Sequence, residues 1–387
     1  MNYSPVIVVV AFNRPKSLER LLFSLKNAKK IENAKLIISI DNNEPENYNV
    51  RDMANAFNWP FGEKQVIYQE KRLGLKQHVL KCGDLASQYG SVIILEDDLF
   101  VSPYFYDYSV KALDYYDNND QLGGISLYNH TYEDTNDTPF QPINDDSDVY
   151  FIQFPSSLGQ AWTKKHWEEF RIWFKNNQDI SNVPIHQHIK NWPETSWKKY
   201  YTAYLAATDK YFVFPRISLT SNFNDQGTHK SSRLNFVGQT QLKLSSDGYR
   251  FKSLSESNSV YDSHFELLPE KVKQFSPALR DYDFAMDLYG IKDVNQIRSP
   301  FILTSKPAKK FLWGYRRALK PHDMNVLLDL KGEDLVLCAK EDILPLKRSY
   351  KRELDDFKYF FTHRLIGRKA YIYNYLSKRK LFIRLFK

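Results

Sequence analysis

The run Val6-Ile7-Val8-Val9-Val10 carries no polar residue for either face of a strand. Side chains along a strand alternate between two faces, so a wholly apolar strand has to be covered on both. Five β-branched residues in a row also disfavour a helix. The chain must therefore build a sheet with packed layers above and below it. Asn13-Arg14-Pro15 ends the run, and Leu18, Leu21, Leu22 and Leu25 then recur at helical spacing behind a proline suited to a first turn. The cycle repeats: Lys35–Ile40 reads as a buried strand stopped by Asp41-Asn42-Asn43, Val66–Tyr68 as a short third strand, Gly74–Tyr89 as a helix and Val92–Leu95 as a fourth strand. Alternating strands and helices predict an α/β fold with a doubly wound sheet, whose ligands bind beyond the carboxyl ends of the strands.

The polar residues of interest stand at those ends. Asn13 and Arg14 follow the first strand, Asp41 the second, and Glu96-Asp97-Asp98 the fourth. No glycine-rich loop follows the first strand, which argues against a dinucleotide dehydrogenase, a P-loop enzyme and a nucleotide-sugar pyrophosphorylase. Three consecutive carboxylates repel one another, and burial raises their pKa values further. A lone acidic turn is commonly just solvated, but at a buried strand end a divalent cation resolves the repulsion. Alternation predicts that Glu96 and Asp98 share one face and Asp97 takes the other. A hard cation held by few carboxylates and completed by diphosphate oxygens and water is how Mg²⁺ and Mn²⁺ usually sit.

Beyond Pro103 the pattern is mixed. Helices are expected at Tyr104–Tyr116, Lys164–Asn176 and Trp197–Ala207, and strands at Gly123–Leu127, Tyr150–Phe154 and Tyr211–Leu219. Thr131–Asp148 and Thr220–Arg233 read as loops. Residues 301–345 read as a small β-rich appendage. The 387 residues carry a net charge of +8, yet residues 345–387 hold 13 Lys/Arg against 3 Asp/Glu, leaving the rest close to neutral. A near-neutral body argues against nucleic-acid binding. Cys82 and Cys338 are too few and too far apart for a disulfide scaffold or a metal-binding cysteine motif. The amino terminus lacks the charge and apolar length of a signal peptide, so the expected location is cytoplasmic. The basic, aromatic tail 346–387 is expected to form helices that lie on an anionic membrane surface, peripheral on the inner face of the cell membrane; a helix packed on the body is the alternative.

The segment VIILEDDLFVSPYFYDY resembles the corresponding stretch of N-acetylglucosaminyltransferase I and its bacterial relatives, inverting glycosyltransferases of the GT-A fold. VIVVVAFNRPKSLERLLFSL, IISIDNN, YQEKRLGLKQHVLKC, GGISLYN and FPSSLGQAWTKKHWEEF extend the resemblance over roughly residues 5–235. It implies a GT-A-type, Rossmann-like nucleotide-sugar-binding mixed sheet flanked by helices. The donor half would take about residues 1–130 and the acceptor half about 131–235, with an extension at 236–345 before the tail. It implies that Ala11, Phe12, Asn13 and Arg14 line the base and ribose, and that Asp41 hydrogen-bonds the base. Gly74 and Lys76 would add donor contacts, Glu96 and Asp97 would touch sugar or ribose, and Gly159, Gln160 and Trp162 would shape the sugar and acceptor pocket. Asp98 would ligate Mn²⁺ or Mg²⁺, with His229 as a second ligand. The donor would be a nucleoside-diphosphate sugar, best a UDP-sugar such as UDP-GlcNAc, and the acceptor a glycan or lipid-linked glycan in surface polysaccharide synthesis.

One departure matters. The family's W-P-x-x-x-W-D-D-W, whose acid pair holds the general base, stands here as Trp192-Pro193-Glu194-Thr195-Ser196-Trp197-Lys198-Lys199-Tyr200. Glu194 and Asp225 are the remaining candidates for the base. The lysines also raise a second reading, an inactive relative that only binds a nucleotide sugar or glycan. His186, His188, Arg216 and Arg233 read as surface residues.

Overall fold

The computed structural model describes residues 3–43, 47–135, 138–223, 225, 238–345 and 350–361. Two compact units divide the chain: Met1–His130 with Asn144–Leu267, and Thr131–Ile143 with Leu268–Lys387. The first unit thus runs past position 235, and a stretch expected as a surface loop belongs to the second.

The first unit begins as expected, with β1 (Val6–Ala11), α1 (Pro15–Lys26) and β2 (Leu36–Ile40). Then come α2 (Tyr48–Ala56), β3 (Lys64–Tyr68), α3 (Gly74–Gly83), α4 (Leu85–Tyr89) and β4 (Ser91–Glu96). Every residue of β1 is buried, the outcome that its unbroken apolar run requires. The single helix expected over Gly74–Tyr89 is interrupted at Gly83-Asp84. The Trp167 ring packs so closely there that a β-carbon on Gly83 would lie 2.1 Å from it, while the indole N–H donates to Asp84 Oδ1 at 2.8 Å.

Next follow β5 (Leu99–Val101), α5 (Phe105–Tyr115) and β6 (Leu122–Ser126). The hairpin β7 (Tyr132–Glu133) and β8 (Thr138–Pro139) belongs to the second unit. The first unit resumes with β9 (Val149–Ile152), β10 (Gln160–Thr163), α6 (Lys164–Asn176), α7 (Gln187–Lys190) and α8 (Trp197–Ala207). It closes with β11 (Tyr211–Pro215), β12 (Thr220–Asn222) and β13 (Val260–Tyr261). The strand expected over Tyr211–Leu219 ends at Pro215; an isolated bridge joins Ser218 to Leu242, and the chain then pairs through β12 with β5.

The main sheet is mixed, in the order β13-β9-β11-β6-β10-β4-β1-β2-β3. β4, β1, β2 and β3 are parallel, so their carboxyl ends lie along one edge. β10 enters antiparallel between β4 and β6. An antiparallel strand needs no crossover helix, so its short run QAWT carries no alternation signal of its own.

The second unit holds α9 (Pro269–Phe275) and a four-stranded sheet of β14 (Phe284–Asp287), β15 (Phe301–Thr304), β16 (Trp313–Tyr315) and β17 (Leu335–Ala339) in the order β14-β15-β17-β16. The short α10 (Met324–Leu327) precedes β17, and α11 (Tyr350–Phe361) follows. The expected β-rich appendage is this sheet, begun one strand earlier than expected. Most of the basic tail lies outside the described residues.

Candidate functional site

Backbone bonds bring the strand ends of the first unit together. Asp41 N–H donates to Ala11 O at 3.0 Å and Asp97 N–H to Val10 O at 3.1 Å, so the residues after β2 and β4 flank those after β1. Around them lies a cavity of about 700 Å³. Ala11, Phe12, Asn13, Arg14, Asp41, Glu96, Asp97, Asp98 and Asp225 all line it.

The acidic segment is not a continued strand. β4 stops at Glu96, and Asp97-Asp98 make the turn into β5, so strand alternation no longer sorts the three carboxylates. Arg14 gathers two of them instead: its guanidinium pairs with Asp97 and, at 3.0 Å, with Asp98. Phe12 N–H also donates to Asp97 Oδ2 at 3.3 Å. Burial pushes the Asp97 carboxyl up to about 6, even against the neighbouring Arg14. Burial, with repulsion from Asp98, pushes the Glu96 carboxyl up as well, and Arg14 and Lys198 only partly offset this. Three carboxylates therefore share one arginine and a more distant lysine, and the site is short of positive charge.

Asp41 is buried, and each of its oxygens has donors within the protein. Oδ1 accepts from the N–H groups of Asn42 and Leu73 at 2.9 and 2.8 Å, and Oδ2 from Gly74 N–H at 2.9 Å. Gly74 has φ of 73°, a left-handed conformation that glycine adopts without strain. Gly74 thus acts by turning its N–H onto Asp41, and Asp41 shapes the entry to α3. Arg72, 3.4 Å from Asp41 Oδ2, places its guanidinium 3.5 Å from the Phe12 ring centroid.

The far wall comes from the segment before α8. Trp192, Pro193, Thr195, Ser196, Trp197 and Lys198 line the cavity. The Ser196 hydroxyl caps the helix, accepting from Lys199 N–H at 3.3 Å. Two lysines in a first turn oppose the helix dipole, and each has a compensating setting. Lys199 is buried, donating to Trp192 O at 3.0 Å and to the Glu194 carboxylate. Lys198 faces the cavity with its ammonium 4.1 Å from the Phe154 ring centroid.

Several expected residues stand elsewhere. Glu194 does not line the cavity: it precedes the helix, its side chain is 72% exposed, and its carboxylate is taken by Lys199 and Tyr200. Trp162 is a core residue, fully buried, with its ring 4.7 Å from Trp167 and 5.6 Å from Tyr201. Gln160, also on β10, is buried between β4 and β6 and does not reach the cavity. Gly159 packs against Thr220, Leu127 and Leu95. The Lys76 ammonium lies 4.9 Å from the Tyr200 ring centroid, away from the lining. Arg216, expected on the surface, is tied to Asp145 at 2.8 Å. His229 and Arg233 lie outside the described residues. Asp225 accepts from Ser17 Oγ at 2.7 Å and pairs with Arg20.

The sequence reading missed Arg72, His78, Leu158 and Asn222, all of which line the cavity. His78 is buried, with Nε2 2.7 Å from Ser39 Oγ, and burial lowers its pKa to about 4, leaving a neutral ring at pH 7. Arg72 was within reach of the rule that pointed to Asp41: it follows the carboxyl end of β3.

An alpha-1,3-mannosyl-glycoprotein 2-beta-N-acetylglucosaminyltransferase of Arabidopsis thaliana is 26% identical over 218 residues, covering 54% of this chain. Over that stretch the chain is similar in sequence to this N-acetylglucosaminyltransferase. It spans 42% of that enzyme's length. No family profile matches the chain. Among solved structures, S. aureus TarS 1–349 in complex with UDP-GlcNAc aligns with 59% of this chain and 61% of its own, at 12% identity and a TM-score of 0.39. GalNAc-T7 with UDP, GalNAc and Mn²⁺ aligns with 56% of this chain and 43% of its own, at 14% identity and a TM-score of 0.38. The mixed sheet and the acidic turn after β4 are the parts of the expected architecture that carry the cavity.

Proposed function

We propose that the chain is an inverting glycosyltransferase. It would move a sugar from a UDP-sugar, with UDP-GlcNAc the favoured donor, to a hydroxyl of a glycan or lipid-linked acceptor during surface polysaccharide or glycoconjugate synthesis. The observation that carries this reading is the convergence, in one cavity, of an under-compensated acidic turn, an aromatic–arginine stack and a tryptophan-bearing wall. Its size is that of a small-molecule site.

Phe12 and Arg72 offer a flat, cationic platform for a base, and Arg14 lies close enough to the acidic turn to contact a diphosphate. The described residues include no cluster of three His, Cys, Asp or Glu side chains able to hold a metal. The shortage of positive charge around Glu96, Asp97 and Asp98 nevertheless fits a divalent cation held by Asp98, with its other ligands drawn from diphosphate and water. Mn²⁺ or Mg²⁺ bound there would supply the charge that stabilises the leaving nucleoside diphosphate. Asp225 is the better candidate for the base, because it is a carboxylate on the cavity wall, whereas Glu194 is turned away. Trp192 and Lys198 would face the acceptor. The proposed setting is the cytoplasmic face of the membrane, with the basic tail as contact; among the described residues no helix is long and apolar enough to cross a membrane.

The test is release of nucleoside diphosphate from a panel of nucleotide sugars, with and without acceptors and Mn²⁺. We expect turnover that depends on the metal and falls to background in Asp98→Ala. Lys198 and Lys199, standing where the family has its acid pair, favour a second reading, an inactive binding relative. Saturable donor binding without release from any donor would support that reading and overturn the first.

A further inference from the structure

The second unit carries large apolar side chains on its surface around β16, the edge strand of its sheet. Phe311, Leu312, Leu319 and Leu328 are 44, 51, 39 and 61% exposed. Tyr315 is fully buried, so alternation along β16 puts Leu312 and Arg316 on the outward face with Gly314 between them. The Phe311 ring folds back onto that face: a β-carbon on Gly314 would lie 3.1 Å from it. Leu319 and Leu328 stand on the loop and helix end that follow, tied to the strand where Arg316 N–H donates to Leu330 O and Leu319 N–H to Asn325 Oδ1, each at 2.7 Å. Single exposed apolar residues are ordinary, but four gathered around one edge strand mark an interaction surface. The charges beside them indicate its partner. Lys309 and Lys310 directly precede Phe311, and neither they nor Arg316 has a carboxylate at ion-pair distance among the described residues. Of the acids nearby, Asp329 pairs with Lys331 at 2.6 Å and Asp334 accepts from Arg317 N–H at 2.9 Å. The end of α11 lies against the same loop: the Tyr359 hydroxyl donates to Leu319 O, and the Lys320 ammonium to Phe360 O at 3.3 Å. The chain leaves α11 at Phe361, and residues 362–387 hold eight Lys/Arg and no Asp/Glu.

We propose that this patch is a membrane-docking surface, in which Phe311 and Leu312 enter the headgroup region while Lys309, Lys310 and Arg316 face anionic lipid. It rests on the membrane setting proposed above and adds a folded contact to the basic tail. A bilayer matches both features at once, because it offers an apolar layer directly beneath a sheet of negative charge. A single weak anchor binds a membrane reversibly, whereas two acting together hold, and each cation close to an anionic surface adds to the attraction. The patch and the tail that starts beside it supply such a pair, so neither alone is expected to keep the protein on the membrane.

Sedimentation of the full chain with vesicles of phosphatidylcholine, alone or mixed with phosphatidylglycerol, tests this. The native chain should bind the mixed vesicles. The double variants Phe311→Ser with Leu312→Ser, and Lys309→Gln with Lys310→Gln, should each weaken that binding about tenfold. Thermal melting checks that both remain folded, and the lysine pair alters only exposed side chains. Native binding that neither pair weakens would leave the tail as the whole contact and overturn this proposal alone. No binding of the native chain to either vesicle would overturn the membrane setting as well. Self-association that Phe311→Ser with Leu312→Ser abolishes, while lipid binding stays unchanged, would overturn the proposal by identifying the patch as a contact between copies of the chain.

Discussion

Arg14 shows how one side chain can organise several backbone elements. It stands just after β1, yet its guanidinium spans both carboxylates of the turn after β4. At the same scale, Asp225 and Glu194 look equivalent as sequence candidates but differ in where their oxygens point. Asp225→Asn is expected to lower kcat by about 10²–10⁴-fold, the usual contribution of a general base. Glu194→Gln should change kcat by no more than a few-fold, since its carboxylate does not line the cavity. Steady-state kinetics on the two variants separates these outcomes, and equal losses would remove Asp225 from the role. Trp162 makes a contrasting case. Its match to the family suggested a pocket residue, but its ring is enclosed by Trp167, Tyr201, Trp197 and Phe212. Trp162→Ala is expected to cost about 3–5 kcal/mol in urea unfolding, the usual range for emptying a large aromatic site. A loss below about 1 kcal/mol would contradict its core placement.

Among elements, the turn before β9 shows how loops are secured where no ladder holds them. Asp145 accepts from the hydroxyls of Ser147 and Ser257 at 2.6 and 2.7 Å and from Arg216 at 2.8 Å. It thereby joins the start of β9, the segment before β13 and the end of β11. Burial alone would raise the Asp145 carboxyl, but the two hydroxyls and the guanidinium outweigh it and bring it down to about 2. A carboxyl whose folded value is depressed stabilises the fold above its unfolded value, near 4, and loses that contribution as pH falls toward the folded one. Between about pH 4 and pH 2, the native chain should therefore lose about 2 kcal/mol that Asp145→Asn does not. Denaturant midpoints measured across that window test this; parallel curves for the two proteins would refute it. The strands β1, β2 and β4 were legible because both of their faces are apolar. β10 was not, because its four residues are buried between two neighbours and carry no period. The interruption of α3 and α4 was hidden too, since it depends on Trp167, more than eighty residues further along the chain.

For the whole molecule, charge is distributed by segment, with the excess of basic residues in 345–387. If the tail holds the protein at a membrane, truncation after residue 345 should move it from the membrane to the soluble fraction. Glycosyl transfer to soluble acceptors should persist. Fractionation and vesicle sedimentation with anionic lipid report this, and unchanged partitioning would sink the membrane proposal. The sequence by itself determined the layered α/β sheet and the edge along which the cavity lies, because apolar runs and their polar stops are local properties of the chain. It also marked Phe12, Arg14, Asp41 and the acidic turn, which follow strand ends directly. Only the tertiary structure decided that Lys198 faces the cavity and Lys199 does not, that Glu194 turns away while Asp225 lines the wall, and that Trp162 is core. Those outcomes depend on where one helix begins and on which distant side chains pack against it, and neither is encoded within a few residues of the group concerned.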